Sequence, residues 1–164
     1  MEAKIKVAIQ GKKGSFHHIV AQRYFGNQLS LVTCETFDSS VRELLRNSAD
    51  LAVMAIENSI AGSIIPNYAL IDRNDLKIVG EYGLSINHNL MVLPGQIIDD
   101  IKEVHSHPMA LLQCKNFFQK YPSIVMVESE DTAEEAFRIS KDQVKGIGAI
   151  ASQEAAEIYH LDIL

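Results

Sequence analysis

The stretch Asp50–Ile64, DLAVMAIENSIAGSI, joins a buried strand to a polar segment. After Asp50 the run through Ile56 is apolar without a break, which is typical of a strand in a parallel sheet covered on both faces. A carboxylate, an amide and a hydroxyl then follow in succession, at Glu57, Asn58 and Ser59. Polar groups next to a core cost free energy unless hydrogen bonds satisfy them. The segment is therefore either a self-capping turn or a ligand-binding site.

The rest of the chain alternates short β-rich runs with helical patterns, which predicts an α/β fold with mainly parallel pairing. Strands are predicted at residues 5–9, 31–34, 51–56, 76–81, 84–93, 103–105, 124–127 and 147–150. Helices are predicted at residues 17–25, 40–47, 108–120, 132–140 and 152–159. Residues 80–93 have no helical pattern between two strand-like pieces, so we expect the chain to pass there from a first lobe, 1–80, into a second, 81–164.

Two helix starts are predicted from capping-box spacing, in which a polar side chain precedes a glutamate by three residues. Ser40 with Glu43 indicates the start of the second helix, and Asp131 with Glu134 indicates the start of the fourth. Pro108 favours the start of the third, because proline suits the first helical turn.

Composition excludes several classes of protein. The 164 residues carry a net charge of −6, and the basic residues are scattered, so a nucleic-acid surface is not expected. No window approaches 18 apolar residues, so no segment is expected to span a membrane. The six histidines show no metal-ligand spacing, and neither a metal nor a cofactor is predicted.

Ligands of open α/β sheets bind beyond the carboxyl ends of the strands, where helix N-termini present free N–H groups. The junctions at such ends include Gly11–Phe16, Ser106-His107 and Asp131-Thr132. The alternative is that Ser106, Asp131 and Ser152 are only helix caps. The first junction lacks the spacing and lysine of a phosphate loop, which favours a small carboxylate ligand over a nucleotide.

Taken together, six segments in this order resemble the catalytic domain of prephenate dehydratase. They are GKKGSFHHIVAQRYFG, DLAVMAIENSIAGSI, LKIVGEYGLSINHNL, VHSHPMALLQC, DTAEEA and GAIASQEAAEIYHLDIL. The resemblance implies two small α/β lobes with a cleft, like type II periplasmic binding proteins. It also implies a cytoplasmic homo-oligomeric lyase of phenylalanine biosynthesis, which converts prephenate to phenylpyruvate.

The resemblance assigns substrate binding to residues of three motifs and the first loop. These residues are Ser15, Phe16, Glu57, Asn58, Ser59, Ser106, His107, Gln113 and Thr132. His17 stands where the family commonly has a small polar residue, and Asp131 where a hydroxyl is frequent. The family's Thr-Arg-Phe motif, which carries the general-acid threonine, follows the segment that matches YHLDIL and so lies past Leu164.

We therefore expect these 164 residues by themselves to bind weakly and turn over little, and the catalytic residue of this chain is left unassigned. The regulatory ACT domain that usually follows in the family is also outside this sequence. The alternative function is a non-catalytic two-lobed domain that binds a small carboxylate.

Overall fold

The computed structural model describes residues 4–164, which form two compact units. The first contains the described residues through Lys12 together with Phe16–Ser85. The second contains Lys13–Ser15 and Ile86–Leu164. Each unit combines helices with a sheet, which is parallel in the first unit and mixed in the second, so the predicted α/β class is confirmed.

The first unit is built on a parallel sheet of three strands in the order β2-β1-β3. Val7 and Ile9 of β1 are fully buried, and Ala21 of α1 packs with them in the core. A hairpin of two short strands, β4 and β5, follows this sheet in the chain and forms no hydrogen-bonded pair with it. The elements are β1 (Ile5–Gln10), α1 (Phe16–Phe25), a 3-10 turn (Gly26–Gln28), β2 (Leu29–Cys34), α2 (Phe37–Leu45), β3 (Leu51–Val53), β4 (Glu57–Asn58), β5 (Gly62–Ser63) and α3 (Ile65–Arg73).

Helix α2 begins earlier than predicted. Thr36, not Ser40, is the cap: its side chain accepts from the Ser39 N–H, and the Ser39 hydroxyl in turn accepts from the Thr36 N–H. Ser40 lies inside the helix, where its hydroxyl donates to the carbonyl of Thr36. The helix therefore does begin with a capping box, as predicted, but Thr36 is its cap and a serine takes the place of the expected glutamate.

The first unit differs from the predictions in three further places. Helix α3 was missed, because its N-terminus has no side-chain cap and is marked only by Pro66. The strand predicted at residues 76–81 is absent, since residues 76–88 contain neither helix nor strand. β3 also ends at Val53 instead of Ile56.

The second unit has a five-stranded sheet in the order β10-β6-β9-β7-β8. β7 pairs in parallel with β8 and β9, whereas β6 runs antiparallel to β9 and β10. Its elements are β6 (Asn89–Val92), a 3-10 turn (Ile98–Asp100), β7 (Glu103–Ser106), α4 (Pro108–Phe118), β8 (Val125–Glu128), α5 (Thr132–Asp142), β9 (Ile147–Ala151), α6 (Gln153–Tyr159) and β10 (Asp162–Ile163).

Helices cover both faces of this second sheet. Alternate strand residues enter two separate cores: Met91 packs with residues of α5 and α6, while Ile150 packs with residues of α4. Because β7, β8 and β9 run parallel, the loops that follow them all leave the sheet at the carboxyl ends of its strands. Among residues 4–164, no helix is both long enough and apolar enough to cross a bilayer.

Candidate active site

The polar segment after β3 folds into a tight hairpin of its own. Glu57 and Asn58 pair with Ser63 and Gly62, and the Asn58 Oδ1 atom accepts from the N–H groups of Ile60 at 2.9 Å and Ala61 at 3.0 Å. The side-chain oxygen therefore organises the turn. Within residues 4–164 no acceptor meets the Asn58 Nδ2 group, which leaves two N–H donors for a ligand.

The other two residues of this motif are exposed. Ser59 lies at the tip of the hairpin, and the Glu57 carboxylate accepts a hydrogen bond from the Tyr68 hydroxyl at 3.1 Å. Some polar groups of the hairpin are therefore hydrogen-bonded within the first unit, as expected of a self-capping turn. The Asn58 Nδ2 donors are still available, as expected of a ligand-binding site.

His17, at the start of α1, is the most perturbed histidine of the first unit. Its Nε2 atom is buried without a hydrogen-bond partner among the described residues. The ring stands edge-on to Phe37 at 5.3 Å between centroids. Burial lowers the pKa of His17 to about 4, although a hydrogen bond with the Gln10 backbone opposes this shift. The ring is therefore neutral near pH 7.

The low pKa of His17 predicts a specific acid sensitivity. Above pH 6.5 the ring is neutral in both the folded and the unfolded chain, so it does not affect stability. Between pH 6.5 and about 4 only the unfolded chain takes up the proton, so the free energy of unfolding falls as pH falls. We expect this loss to be about 3 kcal/mol larger in the native chain than in His17→Phe.

Urea unfolding at several pH values measures this difference. The control variant is His160→Asn, at a helix end with φ of 54°, a conformation that asparagine tolerates. Parallel pH profiles for the native chain and His17→Phe would contradict the assignment of a neutral buried ring.

In the second unit, Ser106 and His107 have different roles. The Ser106 side chain is fully buried, and its hydroxyl donates to the Ile150 carbonyl at 2.7 Å. His107 is the cap of α4: its Nδ1 atom accepts from the Met109 N–H at 3.2 Å. The idea that Ser106 is the cap was therefore wrong, because the helix begins one residue later. The exposed His107 keeps Nε2, which meets no partner among the described residues, for a ligand.

Ser106→Ala measures the hydrogen bond to Ile150. Removing the hydroxyl leaves a buried carbonyl unsatisfied, which costs about 1–3 kcal/mol of unfolding free energy. Urea unfolding should show that loss, while Ser106→Cys, which restores a weak donor of similar shape, should recover part of it. A Ser106→Ala chain with native stability would contradict a structural role for the hydroxyl.

Gln113 lies one and a half turns into α4 and is half-buried. Its side chain hydrogen-bonds His88, just before β6. Burial lowers the pKa of His88, and the bond to Gln113 counteracts this. Because β6 begins opposite the end of β9, this pair lies at the same sheet edge as the helix starts.

The start of α5 brings a carboxylate to this edge. Asp131 caps the helix as predicted, accepting from the Glu134 N–H at 2.9 Å, and Thr132 is the first helical residue. Burial raises the pKa of Asp131, whereas the hydrogen bonds it accepts and the neighbouring His107 favour its ionised form. A partly desolvated carboxyl next to an imidazole is a pattern that occurs at functional sites.

The turn Lys13–Ser15 is held by α6. The Ser152 hydroxyl donates to the Gly14 carbonyl at 2.5 Å and also accepts from the Ala155 N–H as the predicted cap. The Tyr159 hydroxyl donates to the Lys13 carbonyl at 2.6 Å, and burial, together with Glu134 and Asp131, raises its pKa to about 12. Lys13 is therefore bound to Tyr159, which lies within electrostatic reach of Asp131, and Asp131 lies within reach of His107.

Comparison with known proteins identifies the family. The model of the family described as prephenate dehydratase matches residues 7–164. The chain belongs to the prephenate dehydratase family.

Relatives and solved structures agree with this assignment. Arogenate dehydratase 2 of Petunia hybrida is 42% identical over 162 residues, which are 99% of this chain and 41% of the relative. GqqA, a solved quorum-quenching acylase, is 31% identical with a TM-score of 0.84, covering 97% of this chain and 57% of GqqA. The L-Phe complex of prephenate dehydratase from Arthrobacter aurescens, 24% identical, shares the fold at TM-score 0.88 over 98% of this chain and 54% of its own.

The chain spans about two fifths of the length of the curated relatives it matches. The motif residues predicted from the prephenate dehydratase family divide between the units. Ser15, Ser106, His107, Gln113 and Thr132 are in the second unit, and Phe16, Glu57, Asn58 and Ser59 are in the first.

Sequence reasoning missed three features of the site. Tyr159 and Ser152 act through carbonyl groups about 140 residues away in sequence, which no local pattern reveals. His17 was noted only as a departure from the family, although two adjacent histidines directly before an apolar helix face were a signal for burial of one ring.

Proposed function

We propose that this chain forms the substrate-binding portion of a prephenate dehydratase, a lyase that converts prephenate to phenylpyruvate, water and carbon dioxide. The match to the family over residues 7–164 carries the proposal. The strand-end groups support it, because Asn58 Nδ2 and His107 Nε2 offer donors to an anion.

The chemistry defines what these groups must do. The ring carboxylate leaves as carbon dioxide, its bonding electron pair enters the ring, and the C–O bond to the ring hydroxyl breaks. A proton must reach the departing oxygen, since hydroxide is a poor leaving group. The ring becomes aromatic, so the driving force is intrinsic, and the protein has to orient two carboxylates and one hydroxyl.

The nine predicted residues remain the proposed binding set, in which Ser106 contributes by holding the end of β7 in place, because its buried hydroxyl is already used by the Ile150 carbonyl. In the second unit, the partial positive charge at the starts of α4 and α5 favours a carboxylate, and His107 Nε2 and the Thr132 hydroxyl offer donors to it. The N–H groups of the first turn of α4 are already used, because Met109, Ala110 and Leu111 donate to His107. In the first unit, Asn58 Nδ2 adds a donor from the hairpin. The capping carboxylate of Asp131 repels a second negative charge, which favours one defined orientation of a dianion.

The lobes predicted as residues 1–80 and 81–164 each supply part of this set, and we propose that the substrate lies in a cleft between them. We also propose cytoplasmic location and a homo-oligomeric state, as the resemblance implies. The proton donor is not assigned to any of the nine residues.

Arogenate is the second candidate substrate. It carries an ammonium group where prephenate has a carbonyl, and several relatives, including the Petunia protein, are named arogenate dehydratases. A lyase of this kind would release phenylalanine from it.

Turnover of the two substrates tests the proposal. Phenylpyruvate is read by its ultraviolet absorption in base, and phenylalanine by chromatography. We expect slow, saturable phenylpyruvate formation, with kcat/KM at least tenfold higher for prephenate than for arogenate. The reverse ratio would identify arogenate as the substrate. Saturable binding without turnover, also in a chain that carries a Thr-Arg-Phe segment, would favour the carboxylate-binding alternative.

A further inference from the structure

Four ionisable side chains form a cluster between α5 and β7 in the second unit. They are Glu103, His105, Glu135 and Arg138, and we call them the α5–β7 cluster. The side chains of His105 and Glu135 are only 16% and 11% exposed. Ionisable groups at such depth cost free energy unless they are paired and hydrogen-bonded. Their contacts therefore determine how α5 is held against the sheet.

The contacts of the α5–β7 cluster assign the proton of the neutral His105 ring. The Arg138 Nη2 group, which can only donate, lies 3.2 Å from the His105 Nδ1 atom, so Nδ1 is the acceptor. The ring proton is therefore on Nε2, which donates to the Glu103 carboxylate at 2.8 Å. Arg138 is itself held by Glu135, whose Oε2 atom lies 2.9 Å from Nε and 2.8 Å from Nη2. His105 thus links the arginine of α5 to the glutamate of β7.

The α5–β7 cluster gives α5 a directional contact that its apolar face lacks. The other buried residues of the helix, which pack in the core, are Ala133, Ala136 and Ile139. The sheet partners of His105 are Val127 and Ala149, whose side chains offer neither a donor nor an acceptor. Apolar packing has no preferred direction, whereas a hydrogen bond is limited to a narrow range of lengths and angles. The bonds of His105 therefore define the place of α5 along β7.

Both elements continue from the α5–β7 cluster into segments of the proposed binding site. Thr132, at the start of α5, lies about one helical turn before Glu135. His107 follows His105 by two residues, at the cap of α4. The electrostatic effect of His107 on Asp131 shows that the two segments are neighbours. A displacement of α5 along β7 would therefore change the distance between them.

We propose that His105 is a positioning residue that holds the starts of α4 and α5 at the separation a dianionic substrate requires. The inference rests on the proposed function, in which His107 and Thr132 bind the substrate from these two helix starts. A ligand gains from both contacts only when their spacing fits it, and a misplacement of about 1 Å can cost about 100-fold in rate. His105 itself does not contact the ligand and acts through Arg138.

The first test compares two substitutions of His105. His105→Leu removes both bonds of the ring, whereas the amide of His105→Gln keeps one acceptor and one donor. We expect the dissociation constant for prephenate to rise about tenfold in His105→Leu and to stay within about twofold of the native value in His105→Gln, because only the first loses the bonds that place α5. The constant is measured by titration of the backbone amide resonances at a temperature where every chain is folded.

Gln96→Leu is the matched control for lost stability. The Gln96 Oε1 atom accepts from the Gly146 N–H at 2.7 Å, so the substitution also removes a partly buried hydrogen bond of the second unit. This bond lies just before β9, at the opposite end of the strands from the helix starts. We expect Gln96→Leu to lower the free energy of unfolding in urea but to leave the dissociation constant within about twofold of the native value. A native constant in His105→Leu, or an equal rise in it and in either of the other two variants, would overturn the proposal.

A second readout needs no ligand, so it separates this inference from the proposed function. Both His105 variants lack the ring, so the difference between their spectra reports the bonds of the α5–β7 cluster. We expect the amides of residues 131–134 to differ between His105→Leu and His105→Gln, and identical positions would overturn the positioning role. Such a difference, together with no saturable binding of prephenate to the native chain, would support the positioning role and contradict the proposed function.

The His105 ring of the native chain gives a third readout, which applies even where a variant does not fold. At about pH 8, where histidine is ordinarily neutral, we expect its nitrogen NMR spectrum to show the proton on Nε2 and none on Nδ1. A proton on Nδ1 would exclude the bond from Arg138 and would contradict the proposal.

Discussion

Asn58→Asp is expected to lower prephenate turnover and affinity about 100-fold while leaving the fold intact. The new side chain keeps the oxygen that accepts from Ile60 and Ala61, so the hairpin retains its turn. It replaces the Nδ2 donor with a negatively charged oxygen. Loss of a hydrogen bond to a charged group costs about 1.5–3 kcal/mol, and repulsion of a dianion adds to that.

The matched control is Asn47→Asp, which adds the same charge to an exposed position of the first unit. It should leave kcat/KM and affinity within about twofold of native values, since one distant exposed charge is screened by salt. Thermal unfolding of both variants checks stability. Asn58→Asp with native kinetics would remove the hairpin from the proposed site.

Gly14→Ala is expected to destabilise the second unit by about 3 kcal/mol. Gly14 has a φ of 88°, a conformation that strains any other residue, and an added Cβ would lie 2.8 Å from the Ala155 Cα atom and 2.9 Å from its Cβ atom. The backbone strain contributes about 1 kcal/mol and the overlap about 1–3 kcal/mol more. The turn must move off α6, which weakens its bonds from Ser152 and Tyr159.

Gly95→Ala separates these two contributions. Gly95 has nearly the same φ, 84°, but no atom within 4 Å of an added Cβ. Its substitution should cost only the backbone strain. Urea unfolding gives both free energies, and equal losses in the two variants would contradict the close contact between Gly14 and Ala155.

Local signals predicted much of the second unit. Asp131, Ser152 and Pro108 mark helix starts through hydrogen bonds or ring geometry that span three residues or fewer, so the sequence displays them directly. The apolar run before Glu57 likewise predicted a strand, and its polar continuation predicted both a turn and exposed donors.

Other features depend on distant partners. Residues 76–81 have strand composition, but a strand needs a neighbour to accept its hydrogen bonds, and the three-stranded sheet of the first unit supplies none for them. Ser106 resembles a cap in sequence, yet its hydroxyl is used by Ile150, 44 residues away. The turn Lys13–Ser15 belongs with the second unit only because of side chains near the other end of the chain.

A prephenate titration followed by the backbone amide resonances of this chain tests the central claim most directly. We expect the amides of residues 58–61, of residues 107, 109 and 110, and of residues 131–134 to shift together along one saturable curve, with the same dissociation constant at all three segments. Binding is measured without turnover, so the result is independent of the proton donor. Shifts confined to one segment, different constants at the three segments, or no saturable change would contradict a shared site at the strand ends.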